Sequence, residues 1–188
     1  GSWLPADAPA DLALSTCGLD RIVRVSPADL VCTVEAGVTL EALRAALAAE
    51  GLWLALDPPG RSDRTVGSVV ATATAGPLRQ GFGPVRDHVL GSTVVTGDGR
   101  VVEAGGKVVK NVAGYDLTKL HVGGFGGFGV ITALHLRVRA LPAEDRTFQV
   151  SGPREAMFDA GRSLLAAGVS LAALELLTPA LAARPEWT

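Results

Sequence analysis

Short runs of branched apolar residues at 21–25 (RIVRV) and 30–35 (LVCTVE) predict two strands, separated by the turn cluster Ser26-Pro27-Ala28-Asp29. From there the period lengthens. Leu40, Leu43 and Leu47 fall on one face of a helix over 40–50, with Thr39 placed as its N-cap and Gly51 just past its end. Trp53-Leu54-Ala55-Leu56 reads as a buried strand and completes a ββαβ unit that closes at Asp57-Pro58-Pro59-Gly60. Residues 66–76 are nearly all small and read as a tightly packed helix stopped by Gly76-Pro77. Two readings of that helix stay open: a core helix, or one whose free N–H groups near Gly67-Ser68 face an anion. Val89–Thr96 and Arg100–Ala104 predict a hairpin around Gly97-Asp98-Gly99. Past Leu141-Pro142, residues 147–150 read as a strand and 153–167 as an amphipathic helix, with Gly168 beyond it. Residues 171–177 fit strand or helix.

The stretch from Lys107 to Thr132, KVVKNVAGYDLTKLHVGGFGGFGVIT, breaks every period. Its glycines (Gly114, Gly123, Gly124, Gly126, Gly127 and Gly129) permit positive φ and close approach to a ligand. Gly124–Gly129 matches G-x-G-x-x-G literally, yet that dinucleotide fingerprint requires a helix to open inside it. Here Val130–Arg139 follows, alternating apolar and polar in its later half, which predicts a strand. A nicotinamide Rossmann site is therefore rejected.

Composition narrows the field further. Of 188 residues, 48% are hydrophobic and only 5% aromatic, so the core is aliphatic; glycine, at 23, exceeds the usual share. The net charge of −2 and the scatter of basic residues exclude a nucleic-acid face. No apolar run reaches the length of a membrane span and no signal peptide is visible, so a cytoplasmic setting is the expectation. Cys17 and Cys32 read as unpaired thiols. His88, His121 and His135 lie too far apart to suggest a metal site. His88 beside Asp87 reads as structural, because neighbours along a strand point to opposite faces.

Several motifs occur in order: Asp57-Pro58-Pro59, Thr65-Val66-Gly67-Ser68-Val69-Val70-Ala71-Thr72, Gly83-Pro84-Val85-Arg86-Asp87, Val89-Leu90-Gly91, Lys110-Asn111-Val112-Ala113-Gly114-Tyr115-Asp116-Leu117 and Gly126-Gly127-Phe128-Gly129-Val130-Ile131-Thr132. Across roughly residues 19–142 they resemble the FAD-binding domain of vanillyl-alcohol-oxidase-like flavoproteins. Within that superfamily the pairing of KNVAGYDL with a G-x-aromatic-G loop most resembles the FAD-binding subunits E of bacterial glycolate oxidases. D subunits and the D-lactate and D-2-hydroxyglutarate dehydrogenases usually carry a glutamate where Phe125 stands.

The resemblance implies an α+β fold: a PCMH-type FAD-binding domain of two α/β subdomains over residues 1–142, followed by the start of a cap domain over 146–188. It implies noncovalent FAD, since no histidine for covalent attachment is identifiable. The implied cofactor contacts are Pro59, Gly60, Thr65, Val66, Gly67, Ser68, Thr72, Ala73, Ala75, Gly76, Lys110, Gly124, Gly126, Gly129, Val130 and Ile131. Lys110, and less so Lys107, would set positive charge near a phosphate or reduced flavin; Tyr115 and Asp116 would order their loop. The implied activity is oxidation of glycolate, a small 2-hydroxy acid, to glyoxylate. The implied partners are the flavoprotein D subunit and the iron–sulfur F subunit, with peripheral inner-membrane attachment through that complex as an alternative to a free cytoplasmic state. No catalytic residue is assigned.

Departures from the family pattern lower the expected hold on FAD, and those at Phe125 and Ser68 support a second expectation. Ser68 and Ala75 replace glycines, Ala73 replaces an asparagine, and a first glycine-rich pyrophosphate loop is absent or reduced to Gly1-Ser2. Both ends read as cut. A chain of this kind would hold FAD weakly and be inactive alone, or serve as a non-catalytic FAD-binding, assembly or electron-relay subunit.

Overall fold

The structure, a computed structural model, describes residues 11–106 and 117–183. Strands β1 (Ile22–Ser26), β2 (Val31–Glu35), β4 (Val89–Val95), β5 (Val101–Gly105) and β6 (Val130–Arg137) form one sheet in the order β1-β2-β6-β4-β5. Every neighbouring pair is antiparallel: Cys32 faces Leu136 and Val34 faces Leu134, while Ser92 faces Leu134 and Val94 faces Val102. Period-two alternation puts Cys32, Val34, Val94, Leu134 and Leu136 into one core. Helix α1 (Leu40–Ala49) adds Leu40, Leu43 and Leu47, and α2 (Val66–Thr72) adds Val66, Val69 and Val70. The Cys32 thiol is pushed up to about 12 by burial in this layer, whereas Cys17 is exposed; both are free. The α+β class expected from the sequence holds.

Several local expectations are met. Thr39 caps α1, its hydroxyl accepting from the Ala42 N–H at 3.1 Å, and Gly51 takes φ +68° beyond the helix. The segment after the glycine run is strand β6. Helix α5 (Arg154–Ala166) starts after Pro153, and Gly168 lies past its end at φ +67°. The described helices α3 (Arg79–Phe82), α4 (Leu117–His121) and α6 (Pro179–Ala182) were not foreseen.

Elsewhere the structure differs. Strand β3 is only Leu52–Trp53, paired with β7 (Arg139–Ala140). Beyond it the Leu56 N–H turns back to the Leu54 carbonyl at 2.8 Å, so Leu54–Leu56 stay buried but leave the ladder. Residues 147–150 find no strand partner among the described residues; Phe148 and Val150 are exposed and form no strand. Residues 171–177 are irregular, the Ala172 carbonyl accepting from the Gly81 N–H at 3.1 Å. No described helix is long and apolar enough to cross a membrane.

Candidate functional site

The two segments singled out in the sequence, 65–76 and the glycine run, meet at the C-terminal end of α2. Helix α2 ends because Ala73 adopts the left-handed conformation (φ +49°). The Thr74 N–H then reaches back to the Val69 carbonyl at 3.2 Å and the Ala73 N–H to the Val70 carbonyl at 3.1 Å, a Schellman-type closure. The glycine loop completes the end of the helix. Gly123 donates to the Val70 carbonyl at 3.0 Å and Phe125 to the Ala71 carbonyl at 2.9 Å. Phe125 pays for this contact with an unusual backbone, φ +51°, while its ring remains 66% exposed.

The N-terminal end of α2 behaves otherwise. Thr65 caps it, accepting from Ser68 N–H at 3.2 Å. The Val66 N–H goes to the Val38 carbonyl and the Gly67 N–H to the Ala36 carbonyl, each at 2.8 Å, and the Val69 N–H bonds the Thr65 carbonyl. In return, the Leu40 N–H that opens α1 bonds the Arg64 carbonyl at 2.9 Å, and Thr39 bridges Thr65. The two helix starts thus cap each other. The expectation of free N–H groups near Gly67-Ser68 is not met, because the chain itself supplies their acceptors; the core-helix alternative describes this end of α2.

The glycines divide into two kinds. A Cβ on Gly67 would lie 2.7 Å from the Ala36 carbonyl oxygen, one on Gly76 2.0 Å from that of Asp57, one on Gly124 2.9 Å from that of Leu120, and one on Gly129 2.6 Å from that of Val95. These positions need glycine so that backbone can pack on backbone. Gly126 is different: it takes φ +80° with nothing nearer to a Cβ than 3.9 Å, and Gly60, at φ +103°, meets only the Arg64 side chain at 3.6 Å. These two leave space in front of the backbone.

Donors occur on the same two arms. The N–H groups of Ala75 and Gly76 beyond α2, and of Gly126 and Phe128 in the glycine loop, have no acceptor among the described residues. Amides held by turns and left unpaired suit the diphosphate and ring carbonyls of a dinucleotide. Gly124, Gly126, Gly129 and Ile131 also line one small cavity, together with His121 and Phe128. The residues present therefore fit FAD, with Pro59 and Gly60 on the adjacent loop and Val130 at the start of β6. Lys110, Lys107, Tyr115 and Asp116 lie outside the described residues.

Sequence reasoning missed His121, Phe128, Asp57, Arg64 and Thr74. His121 closes α4, is buried, and its Nδ1 lies 3.3 Å from the Ser92 hydroxyl; burial holds its pKa below the usual histidine value. Its carbonyl receives the Gly124 N–H at 3.4 Å, so it fixes where the glycine loop begins. The Asp57 carboxylate accepts from the Leu78 N–H at 3.1 Å and 3.2 Å, holding the 73–78 segment against the loop that contains Pro59. These roles depend on partners far along the chain, which no local pattern announces.

A family profile described as FAD binding domain matches residues 2–105. Glycolate oxidase subunit GlcE of Escherichia coli (strain K12) is 43% identical over 122 residues, covering 64% of this chain and 35% of the relative. A probable mitochondrial D-lactate dehydrogenase of Danio rerio is 34% identical over 163 residues, covering 85% of this chain and 32% of the relative. The chain thus spans about a third of the length of these curated relatives. Among solved structures, an alkyldihydroxyacetonephosphate synthase superposes with a TM-score of 0.59 at 24% identity, covering 67% of this chain and 22% of that one, a likeness of fold. With the profile spanning more than half of its length, the chain belongs to the FAD binding domain family.

Proposed function

We propose that the chain is the FAD-binding portion of a subunit that oxidises a small 2-hydroxy acid, glycolate to glyoxylate, within a multi-subunit complex. The observation that carries this reading is the meeting of two arms, 73–76 and 123–129, each holding amide donors that no described residue uses. Pro59, Gly60, Thr65, Val66, Gly67, Ser68, Thr72, Ala73, Ala75 and Gly76 would form one side of the cradle. Gly124, Gly126, Gly129, Val130 and Ile131 would form the other, and Lys110 would add charge. Residues 1–142 would constitute the FAD-binding domain and 146–188 the beginning of a cap. That division is supported by the core, whose buried apolar residues all fall between Val31 and Val138.

Bound FAD would supply a two-electron acceptor for the hydrogen on the substrate α-carbon. The chain's part is to bind and orient: the unpaired amides would donate to ligand oxygens, and the buried Ile131 would keep water from that side. Noncovalent attachment is supported by the three histidines. His88 and His121 are buried, and the His135 Nδ1 lies 2.9 Å from the Thr33 hydroxyl. Glycolate is favoured over D-lactate by the higher identity to GlcE, and because that relative is a subunit of glycolate oxidase a multi-subunit assembly is supported; its other members would be a flavoprotein D subunit and an iron–sulfur F subunit. Such an assembly would work in the cytoplasm or at the inner-membrane surface.

A second reading, a flavin-holding relay or assembly subunit without turnover of its own, is favoured by one observation. The proposed cofactor positions among the described residues carry no acid or base, and Phe125 stands exposed on the loop. A flavin absorbance spectrum of the full-length protein tests the cofactor. Bleaching by glycolate, D-lactate or D-2-hydroxyglutarate, with and without partner subunits, then tests turnover. Rapid bleaching by glycolate supports the first reading, and bound flavin reduced only through partners supports the second. A colourless protein that takes up no added FAD overturns both.

A further inference from the structure

The Arg64 side chain lies along the proposed cradle. Its Cδ packs beside Gly60 and its Nη1 donates to the Pro59 carbonyl at 2.9 Å. Its Nη2 reaches the hydroxyls of Thr72 and Thr74 at 3.4 Å and 3.3 Å, and those two hydroxyls lie 2.5 Å apart. One guanidinium therefore joins the Pro59-Gly60 loop to the far end of α2. Its backbone is fixed as well, because its carbonyl accepts the first N–H of α1.

Among the described residues nothing compensates the charge of this group. Among the described residues no carboxylate pairs with Arg64; the adjacent Asp63 is taken by Arg61 at 2.8 Å. Three of the five N–H donors of a guanidinium are the most that these bonds can occupy, so at least two remain. The other proposed cofactor positions among the described residues carry no charge, while a dinucleotide diphosphate is a dianion. A planar cation with spare paired donors is the side chain best suited to such an oxyanion.

We propose, resting on the FAD reading above, that Arg64 is an oxyanion-recognition residue of the cradle, holding the diphosphate of the dinucleotide while fixing the Pro59 loop against Thr72 and Thr74. A substrate carboxylate offers the same chemistry, and the experiment separates the two. Full-length wild type, Arg64→Lys, Arg64→Gln, Thr74→Val and the control Arg61→Gln are titrated with FAD and with riboflavin, which lacks phosphate. Thermal midpoints without flavin are recorded in parallel, and KM for glycolate is measured on the FAD-loaded forms. The expected result is that Arg64→Gln weakens FAD about tenfold or more while riboflavin binding is unchanged. Arg64→Lys should fall between wild type and Arg64→Gln, Thr74→Val should weaken FAD more mildly, and Arg61→Gln should match wild type. A raised KM for glycolate at unaltered FAD affinity would assign the same oxyanion role to the substrate carboxylate. Equal FAD affinity and equal KM in wild type and Arg64→Gln overturn the proposal and leave the FAD reading intact. So does parallel loss of FAD, riboflavin and thermal midpoint, which marks a structural role only. A wild type that binds neither flavin overturns the FAD reading itself and this proposal with it.

Discussion

His88 shows how a single residue departs from its sequence reading while keeping its assignment. The sequence marks it as structural because an adjacent Asp–His pair on a strand points two ways. The pair instead sits where a 3-10 turn (Val85–Asp87) ends, with His88 buried and Asp87 3.7 Å from its neighbour Arg86. The imidazole is bonded by the Gly83 backbone, but among the described residues its Nε2 has no partner, nor does the buried Nε of Arg139. Burial, then the charge of Arg139, holds its pKa below the ordinary 6.5, with Arg137 adding to the effect and Asp87 opposing it. The folded protein thus disfavours the imidazolium that the unfolded chain accepts. The stabilisation from keeping it neutral is complete above pH 6.5 and is lost as pH falls from there toward the depressed folded value. His121 acts in the same direction. Replacing His88 with Phe removes the unsatisfied Nε2 together with the bond to the Gly83 backbone, so the two effects offset and stability at pH 7 should change by less than about 1 kcal/mol. It should also flatten the decline below pH 6.5, both read from urea midpoints across pH. A variant with an unchanged acid slope would show that His88 is not a source of it.

At the scale of elements, α1, the hairpin and β6 were legible because each carries its own period and its own stop signal. The glycine run was legible as a ligand loop only in part. Its density is visible in the sequence, but the carbonyls of Ala36, Asp57 and Val95 that crowd Gly67, Gly76 and Gly129 belong to remote segments. Local reading marks these glycines for a ligand, and it does not show that packing alone already requires glycine at each of them. Helix α2 was read four residues too long for the same reason: nothing in its composition announces a left-handed alanine. Ala73 is an unfavourable choice at that position, since glycine or asparagine adopts it with less strain. Ala73→Gly should raise the thermal midpoint, by an amount corresponding to about 0.5–1 kcal/mol, with no change of fold by circular dichroism. Where the sequence resembles flavoproteins that place asparagine there, the native alanine gives up some helix-end stability. An Ala73→Gly protein less stable than wild type would mean that the methyl group's packing near Gly123 outweighs backbone strain.

Across the whole molecule, the core is a single layer of aliphatic side chains between the sheet and the helices α1 and α2. The unpaired amides proposed to meet FAD, on Ala75, Gly76, Gly126 and Phe128, lie at its margin, in turns between elements. This division explains why single elements such as α1 and β6 were readable from apolar periodicity and the fold class from the resemblance, whereas the arrangement of the cradle was readable from neither: backbone amides carry no sequence signature. The reciprocal bonds between the starts of α1 and α2 also bear on how the protein opens. Neither helix can unwind its first turn without breaking the bond that its neighbour donates, so Leu40 and Val66 belong to one opening unit although the segment 41–65 separates them in sequence. Their amide hydrogens should exchange with similar protection, and Thr65→Ala, costing about 1 kcal/mol, should hasten exchange at Leu40 as much as at Val66. Acceleration confined to Val66 would show two independent units. Joint exchange would mean that the loop proposed to face the dinucleotide is clamped from behind by a unit that opens as one, so that ligand and core compete for the same fluctuations.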